Sequence, residues 1–313
     1  MSQIRFYIFC IIFLSSFATN AATYRTAWQV SGDKGKSCTA YLHGSAPMGR
    51  PLVLMLAGTG IYTTGDMVQN NPLVETLISE KMATLLTLDK PGISYSQASK
   101  SHFVIRDEIY NQYTQRDMIF CTLNALREAS RHGISPMAKI YILGFSEGTQ
   151  IAARVYDFLL RSDAAFVAKI KAMFWGGLVM DPWAQIIRMQ IQSPEERAKF
   201  KKAYATKDDA TLRTFGDLAY AYWADIFSTE SNLETLHRLT LYSPDALIRV
   251  YHGLLDQNTS SKPVIAFDKW NQNRYRNALP ALKARFHYYQ AGHELNREAV
   301  TDIANELSKA IAD

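Results

Sequence analysis

The chain has 313 residues, 48% of them hydrophobic and 12% aromatic, with no low-complexity tract. That composition suits one large domain with a substantial core and room for an insertion. The net charge of +5 comes from scattered Lys and Arg; the densest run, Lys199–Lys202 (KFKK), reads as a solvated helix face, so no nucleic-acid partner is expected.

Residues 1–21 read as a signal peptide. Arg5 is the only charge, Phe6–Leu14 forms a short apolar core, and Ser16-Phe17-Ala18 and Thr19-Asn20-Ala21 both offer small residues at the two critical cleavage positions. The apolar run is too short for a comfortable membrane span, and no later stretch approaches about 18 apolar residues. The expectation is therefore an exported protein, periplasmic or secreted, with no membrane span in the mature chain. Cys10 lies inside the apolar core, which leaves Cys38 and Cys121 in the mature protein. An exported protein can join such a pair; two buried free thiols are the plainer expectation. No C-x-x-C, H-E-x-x-H or clustered His/Cys pattern points to a metal, and no cofactor is expected.

Tyr24–Ser31 and Ser37–His43 read as strands joined by a Gly-rich turn. Pro51–Ala57 (PLVLMLA) is an almost uninterrupted apolar run, as expected of a strand covered on both faces, and it ends in Gly58-Thr59-Gly60. Ala83–Leu88 is the next buried strand and leads into Asp89-Lys90-Pro91-Gly92. Arg116–His132 has helical periodicity. Lys139–Leu143 is a short buried strand and Glu147–Arg161 an amphipathic helix, with Ile151, Val155, Phe158 and Leu159 on one face. Another strand follows at Ala172–Val179. Strands alternating with helices imply a mostly parallel sheet with helices on both faces, an α/β fold.

The rhythm then changes. Asp181 to about Leu241 reads as helices rich in Trp, Tyr, Phe and Met, including Trp183, Met189, Tyr220, Tyr222, Trp223 and Phe227. Strands Ala246–His252 and Ala284–Gln290 resume the alternation, and an amphipathic helix from Asn296 closes the chain. The expected organisation is a core of residues 22–180 and 242–313 interrupted by a helical cap at 181–241, lying over the sheet's carboxyl edge.

Between strand and helix stands Gly144-Phe145-Ser146-Glu147-Gly148, with no room for an ordinary loop. A strand that turns directly into a helix forces its middle residue into a strained conformation, and the flanking glycines remove colliding side chains. Ser146 would then sit at the positive end of a helix dipole, where a nucleophile is wanted. A serine hydroxyl needs a base, and the base needs a carboxylate to fix its tautomer. Of seven histidines, His293 is the candidate base, because it follows strand Ala284–Gln290 on a loop at the sheet's carboxyl edge. Asp256, three residues beyond Gly253, is the candidate acid; Asp181 is its rival, after the strand ending at Val179. The candidate oxyanion donors are the backbone N–H of Glu147 and that of Thr59, with Gly60 second.

Four segments in this order resemble the α/β-hydrolase superfamily: LAGTG at 56–60, DKPGISYS at 89–96, GFSEG at 144–148, and GLLD at 253–256 with Gly292-His293. The resemblance implies an eight-stranded, mostly parallel sheet, a nucleophile elbow at Ser146 and a lid between the sixth and seventh strands. Two departures stand out. Ala57-Gly58 replaces the usual His-Gly of the first turn, removing a side chain that often braces the loop, and Ser94 replaces the second Gly of the P-G-x-G-x-S segment.

The implied activity is hydrolysis of a small or medium apolar carboxylic ester, a small-molecule substrate, through a Ser-His-Asp triad and an acyl-enzyme. Glu147 also leaves open an aminopeptidase-like serine peptidase, if its carboxylate meets a substrate ammonium. A non-catalytic hydrolase-fold binding protein is a further alternative. A dinucleotide-binding dehydrogenase is disfavoured, since the G-x-G-x-x-G pattern would need Gly at Thr63. The oligomeric state is not legible.

Overall fold

The computed structural model describes residues 24–44, 49–69, 71–79, 82–95 and 103–312. The expected signal peptide and Ser96 lie outside the described residues. Among the described residues ten strands occur in chain order: β1 (Tyr24–Ser31), β2 (Ser37–His43), β3 (Leu52–Leu56), β4 (Thr84–Asp89), β5 (Ile93–Tyr95), β6 (Phe103–Ile105), β7 (Ile140–Phe145), β8 (Ile170–Gly176), β9 (Leu247–Gly253) and β10 (Lys283–Tyr289). Eight of them form one sheet in the order β1-β2-β4-β3-β7-β8-β9-β10, and β5 pairs with β6 in a separate ribbon. β2 is antiparallel to both its neighbours, and every other pairing in the large sheet is parallel.

The continuous apolar runs have a direct physical origin. In β3 every residue is buried, and its side chains alternate between two cores. Leu52, Leu54 and Leu56 join the layer containing Leu123, Leu126, Ile151 and Val155 from helices Gln115–Glu128 and Glu147–Ser162. Val53 and Met55 join the opposite layer, with Leu73, Leu77, Ile303 and Leu307 from helices Pro72–Ser79 and Arg297–Ala312. A strand with two covered faces has no polar face to present, so the period of two disappears from its sequence.

Strand order reverses beside β3: the chain passes from β3 to β4 on one side, then crosses to β7 on the other. The carboxyl ends flanking such a switch point open a crevice in which ligands bind. Thr59 follows β3, Lys90 follows β4 and Ser146 follows β7, so three of the residues discussed below surround this crevice.

Between β8 and β9 the described chain is helical, with helices Trp183–Gln190, Pro194–Thr206, Asp209–Leu212, Tyr220–Ser228 and Asn232–Tyr242. Their starts are set by local chemistry. The Ser193 hydroxyl accepts from the Glu196 N–H with Pro194 in the first turn, and Ser231 forms a reciprocal capping box with Glu234. Aromatic contacts hold the helices together: Phe200 meets Phe215 at 5.3 Å and Trp223 at 5.2 Å between ring centroids, both edge-to-face.

Two features depart from expectation. Cys38 and Cys121 form a disulfide rather than two free thiols. They lie 83 residues apart in sequence, and their meeting requires β2 to lie under helix Gln115–Glu128, a tertiary arrangement that spacing does not encode. The ribbon β5–β6 and the short helix Thr64–Val68 carry no strong periodicity, and helix Pro72–Ser79, which buries Leu73, Val74 and Leu77 on one face, is not among the expected elements. The first helix and the ribbon converge on one buried carboxylate: Asp89 accepts from the Thr64 N–H at 2.6 Å and the Tyr95 N–H at 2.7 Å.

Candidate active site

Ser146 has φ 51° and ψ −120°, left-handed backbone for a residue with a side chain. Such a conformation costs about 1–3 kcal/mol and persists only where surrounding contacts over-determine it. Here the Ser146 N–H donates to the Gly176 carbonyl of β8 at 2.9 Å, while the Ser146 carbonyl accepts from the Thr149 N–H at 2.9 Å and from the Thr149 hydroxyl at 2.7 Å. Helix Glu147–Ser162 starts immediately and passes so close to β3 that a Cβ at Gly148 would stand 2.3 Å from the Leu56 carbonyl oxygen. Glycine at 148 is therefore a requirement of the turn. The Gly58 backbone lies against the same serine; a Cβ there would come within 3.1 Å of the Ser146 Cβ.

On the far side of the site, loops after β9 and β10 bring Asp256 and His293 together. Backbone bonds from Leu254 N to Tyr289 O (2.8 Å) and from Leu255 N to Ala291 O (3.0 Å) stitch the two loops to each other. His293 Nδ1 lies 2.8 Å from Asp256 Oδ2. With Nδ1 committed to the carboxylate, Nε2 is the nitrogen left for proton exchange. Asp256 also accepts from the Asn258 N–H (2.8 Å), the Thr259 N–H (2.9 Å) and the Thr259 hydroxyl (2.7 Å). Burial opposes ionisation of this carboxyl, but the bond and charge of His293 together with the Thr259 donors outweigh it, and its pKa is held below the ordinary aspartate value. Asp181, the rival acid, has no hydrogen bond to His293 among the described residues, and its Oδ2 is buried without a hydrogen-bond partner.

Ser146, His293 and Thr59 line one cavity together with Thr259 and Asn258. Its remaining wall is contributed by Val179 and by residues of the helical insertion: apolar Trp183, Ile186, Phe215 and Trp223, with Gly216 and the polar Gln190. Apart from His293, none of the described lining residues is ionisable. Trp183 is fixed by its indole N–H, which donates to Gln150 Oε1 on the helix following Ser146 at 2.9 Å.

Glu147 does not face this cavity. Its side chain is fully buried, 3.5 Å from the Lys90 ammonium, and accepts from Gln115 Nε2 at 3.4 Å. The substrate-ammonium role open to it in the sequence is thus closed by its orientation. Three contributors to the site were not singled out from sequence. Lys90 lies inside the DKPGISYS segment and Thr259 three residues beyond Asp256, but only the tertiary fold shows what they touch. His252, buried with Nε2 3.9 Å from Asp256 Oδ2, is kept below its ordinary pKa by burial.

No family model matches the sequence, and no curated protein matches it. Solved structures do. Est1E from Butyrivibrio proteoclasticus is similar over 92% of this chain and 99% of its own, with a TM-score of 0.54 at 15% identity. A lipase in its open form covers 92% of this chain and 98% of its own, with a TM-score of 0.59 at 12% identity. Acetyl xylan esterase 1 from Thermoanaerobacterium sp. covers 96% of this chain and 86% of its own, with a TM-score of 0.55 at 12% identity. At these identities the likeness defines architecture: the protein has the α/β-hydrolase fold.

Proposed function

We propose that the protein is a serine hydrolase that cleaves carboxylic esters through an acyl-enzyme on Ser146. The observation that carries this reading is the 2.8 Å bond between His293 Nδ1 and Asp256 Oδ2, formed at the wall of the cavity that also contains the strained Ser146. In the first step the Ser146 oxygen attacks the ester carbonyl carbon while its proton passes to His293 Nε2. The N–H groups of Thr59 and Glu147 donate to the oxyanion; Glu147 opens a helix, so its N–H has no partner within that helix. Collapse breaks the ester C–O bond, and the imidazolium proton leaves with the alcohol. Water, deprotonated by the same histidine, then releases the acid and restores Ser146.

The apolar wall of Val179, Trp183, Ile186, Phe215 and Trp223, with no charged lining residue except His293 when protonated, favours a small or medium apolar ester. It also disfavours the aminopeptidase-like alternative, since no described lining residue offers a carboxylate to a substrate ammonium. The helical segment 181–241 acts in this reading as the cap that sets acyl specificity. Esterases and lipases among the structural neighbours are in keeping with an ester substrate. Export, the remaining element of the proposal, is supported by the Cys38–Cys121 disulfide, because such bonds persist in oxidising compartments; no described helix is long and apolar enough to cross a membrane.

The test is turnover of a panel of nitrophenyl esters and aminoacyl-nitroanilides by the wild type and Ser146→Ala. The expected outcome is ester hydrolysis that is lost in the variant. Preferential cleavage of the anilides would reverse the substrate assignment, and no turnover of either would favour a non-catalytic binding protein.

A further inference from the structure

We propose that Lys90 and Glu147 are positioning residues that aim the Thr59 N–H at the oxyanion. This rests on the hydrolase reading above and adds to it a pair of residues that touch no substrate. The loop after β3 needs such a device. Ala57 supplies no polar side chain to hold it, and a short glycine-rich segment would otherwise sample many backbone states.

The geometry supplies the missing brace from the next strand. The Lys90 ammonium donates to the Gly58 carbonyl at 2.8 Å and to the Gly60 carbonyl at 2.9 Å, and lies 3.5 Å from Glu147 Oε2. These described acceptors match the three-donor capacity of an ammonium. Its position is itself fixed, because the preceding residue, Asp89, is held by Thr64, Tyr95 and Tyr41.

The Gly58 carbonyl and the Thr59 N–H belong to the same peptide unit. In a planar trans peptide these two groups point in opposite directions. Anchoring the carbonyl on Lys90 therefore fixes the direction of the N–H, away from Lys90. Gly58 packs against Ser146, so that N–H belongs to backbone adjoining the nucleophile. A cation on the carbonyl also polarises the peptide unit and makes the N–H a better donor. Glu147 has a matching double part: its backbone opens the helix after Ser146, and its carboxylate balances the buried Lys90 charge. Both side chains are almost wholly buried, 3% and 0% exposed, so each charge offsets part of the other's burial cost. One ion pair thereby locks the two proposed oxyanion donors to each other.

The test compares Lys90→Met, Glu147→Gln and the double variant Lys90→Met/Glu147→Leu, which removes both buried charges and so avoids leaving one unpaired. For each, kcat and KM on a nitrophenyl ester are measured beside the melting temperature and inhibition by a boronic acid, whose tetrahedral adduct requires the oxyanion donors. The expected result is a fall in kcat of about 10²-fold for the double variant and about tenfold for Glu147→Gln, with KM nearly constant and boronate affinity weakened in proportion. Retention of kcat and boronate affinity within about threefold in a folded variant would overturn the positioning role. So would losses that follow the melting temperature instead of the boronate affinity. If the double variant does not fold, Glu147→Gln, which keeps size and hydrogen bonding, decides by the same criteria. An inactive wild type that no boronate inhibits would instead remove the hydrolase reading on which the inference rests.

Discussion

Asp256 is satisfied four times over, by Asn258, Thr259 twice and His293, and this explains why it rather than Asp181 suits an orienting role. A carboxylate so held stays ionised and fixed, and can keep the imidazole in one tautomer. Asp256→Asn is therefore expected to lower kcat by about 10⁴-fold, while Asp181→Asn changes it little; steady-state kinetics on one ester checks both. A second buried group gives a pH prediction. His43 Nε2 sits between the Thr64 and Thr87 hydroxyls at 3.0 Å each, and burial pushes its pKa from 6.5 down to about 4. The folded imidazole thus binds a proton less readily than the unfolded one. Its contribution to stability is complete above about pH 6.5 and declines as the pH falls toward 4, by about 3 kcal/mol in all. Burial moves Asp89 the other way, up to about 6, so that group adds stability over nearly the same fall in pH and blunts the overall curve. The informative quantity is the stability of the wild type minus that of His43→Gln, from urea unfolding at pH 7 and pH 4. That difference should drop by about 3 kcal/mol; a constant difference contradicts the assignment.

The disulfide joins β2 to helix Gln115–Glu128 and closes a loop of 83 residues in the unfolded chain. Restricting so long a loop stabilises the fold by about 2–5 kcal/mol, so a Cys38→Ser/Cys121→Ser variant should show a lower urea midpoint by a corresponding amount. An unchanged midpoint would contradict a structural role for the bond. The helical insertion carries a different prediction. Phe215 contributes both to the cavity wall and to the aromatic cluster around Phe200. Phe215→Ala should raise the preference for longer acyl chains over acetyl by about tenfold, since each buried methylene is worth about 0.8 kcal/mol; kcat/KM across a chain-length series measures it. The large elements were readable because their periodicity survives any context: β3 and β7 as apolar runs, Glu147–Ser162 as an amphipathic stripe. The β5–β6 ribbon was not, because its three-residue strands are held by Asp89 rather than by a pattern of their own.

Across the whole molecule the sheet brings five separated stretches to one edge: Thr59, Lys90, Ser146, Asp256 and His293 each follow the carboxyl end of a strand. Ser146, Asp256 and His293 were legible in sequence because a residue just past a strand has few other places to be, and because each carries a side chain suited to acyl transfer. Lys90 has the same address, yet nothing local announces that its ammonium reaches back to Gly58 and Gly60. Glu147 shows the converse: its proximity to Ser146 suggested a substrate contact, whereas its side chain turns inward to that lysine. Such facts belong to packing between strands and become readable only once the chain has folded. The proposed mechanism requires a covalent intermediate on Ser146. Intact-mass and peptide-mapping analysis after treatment with a fluorophosphonate should find one adduct per chain, on Ser146, and none in Ser146→Ala. A folded wild type that takes up no adduct, or a label that persists in the variant, would contradict it.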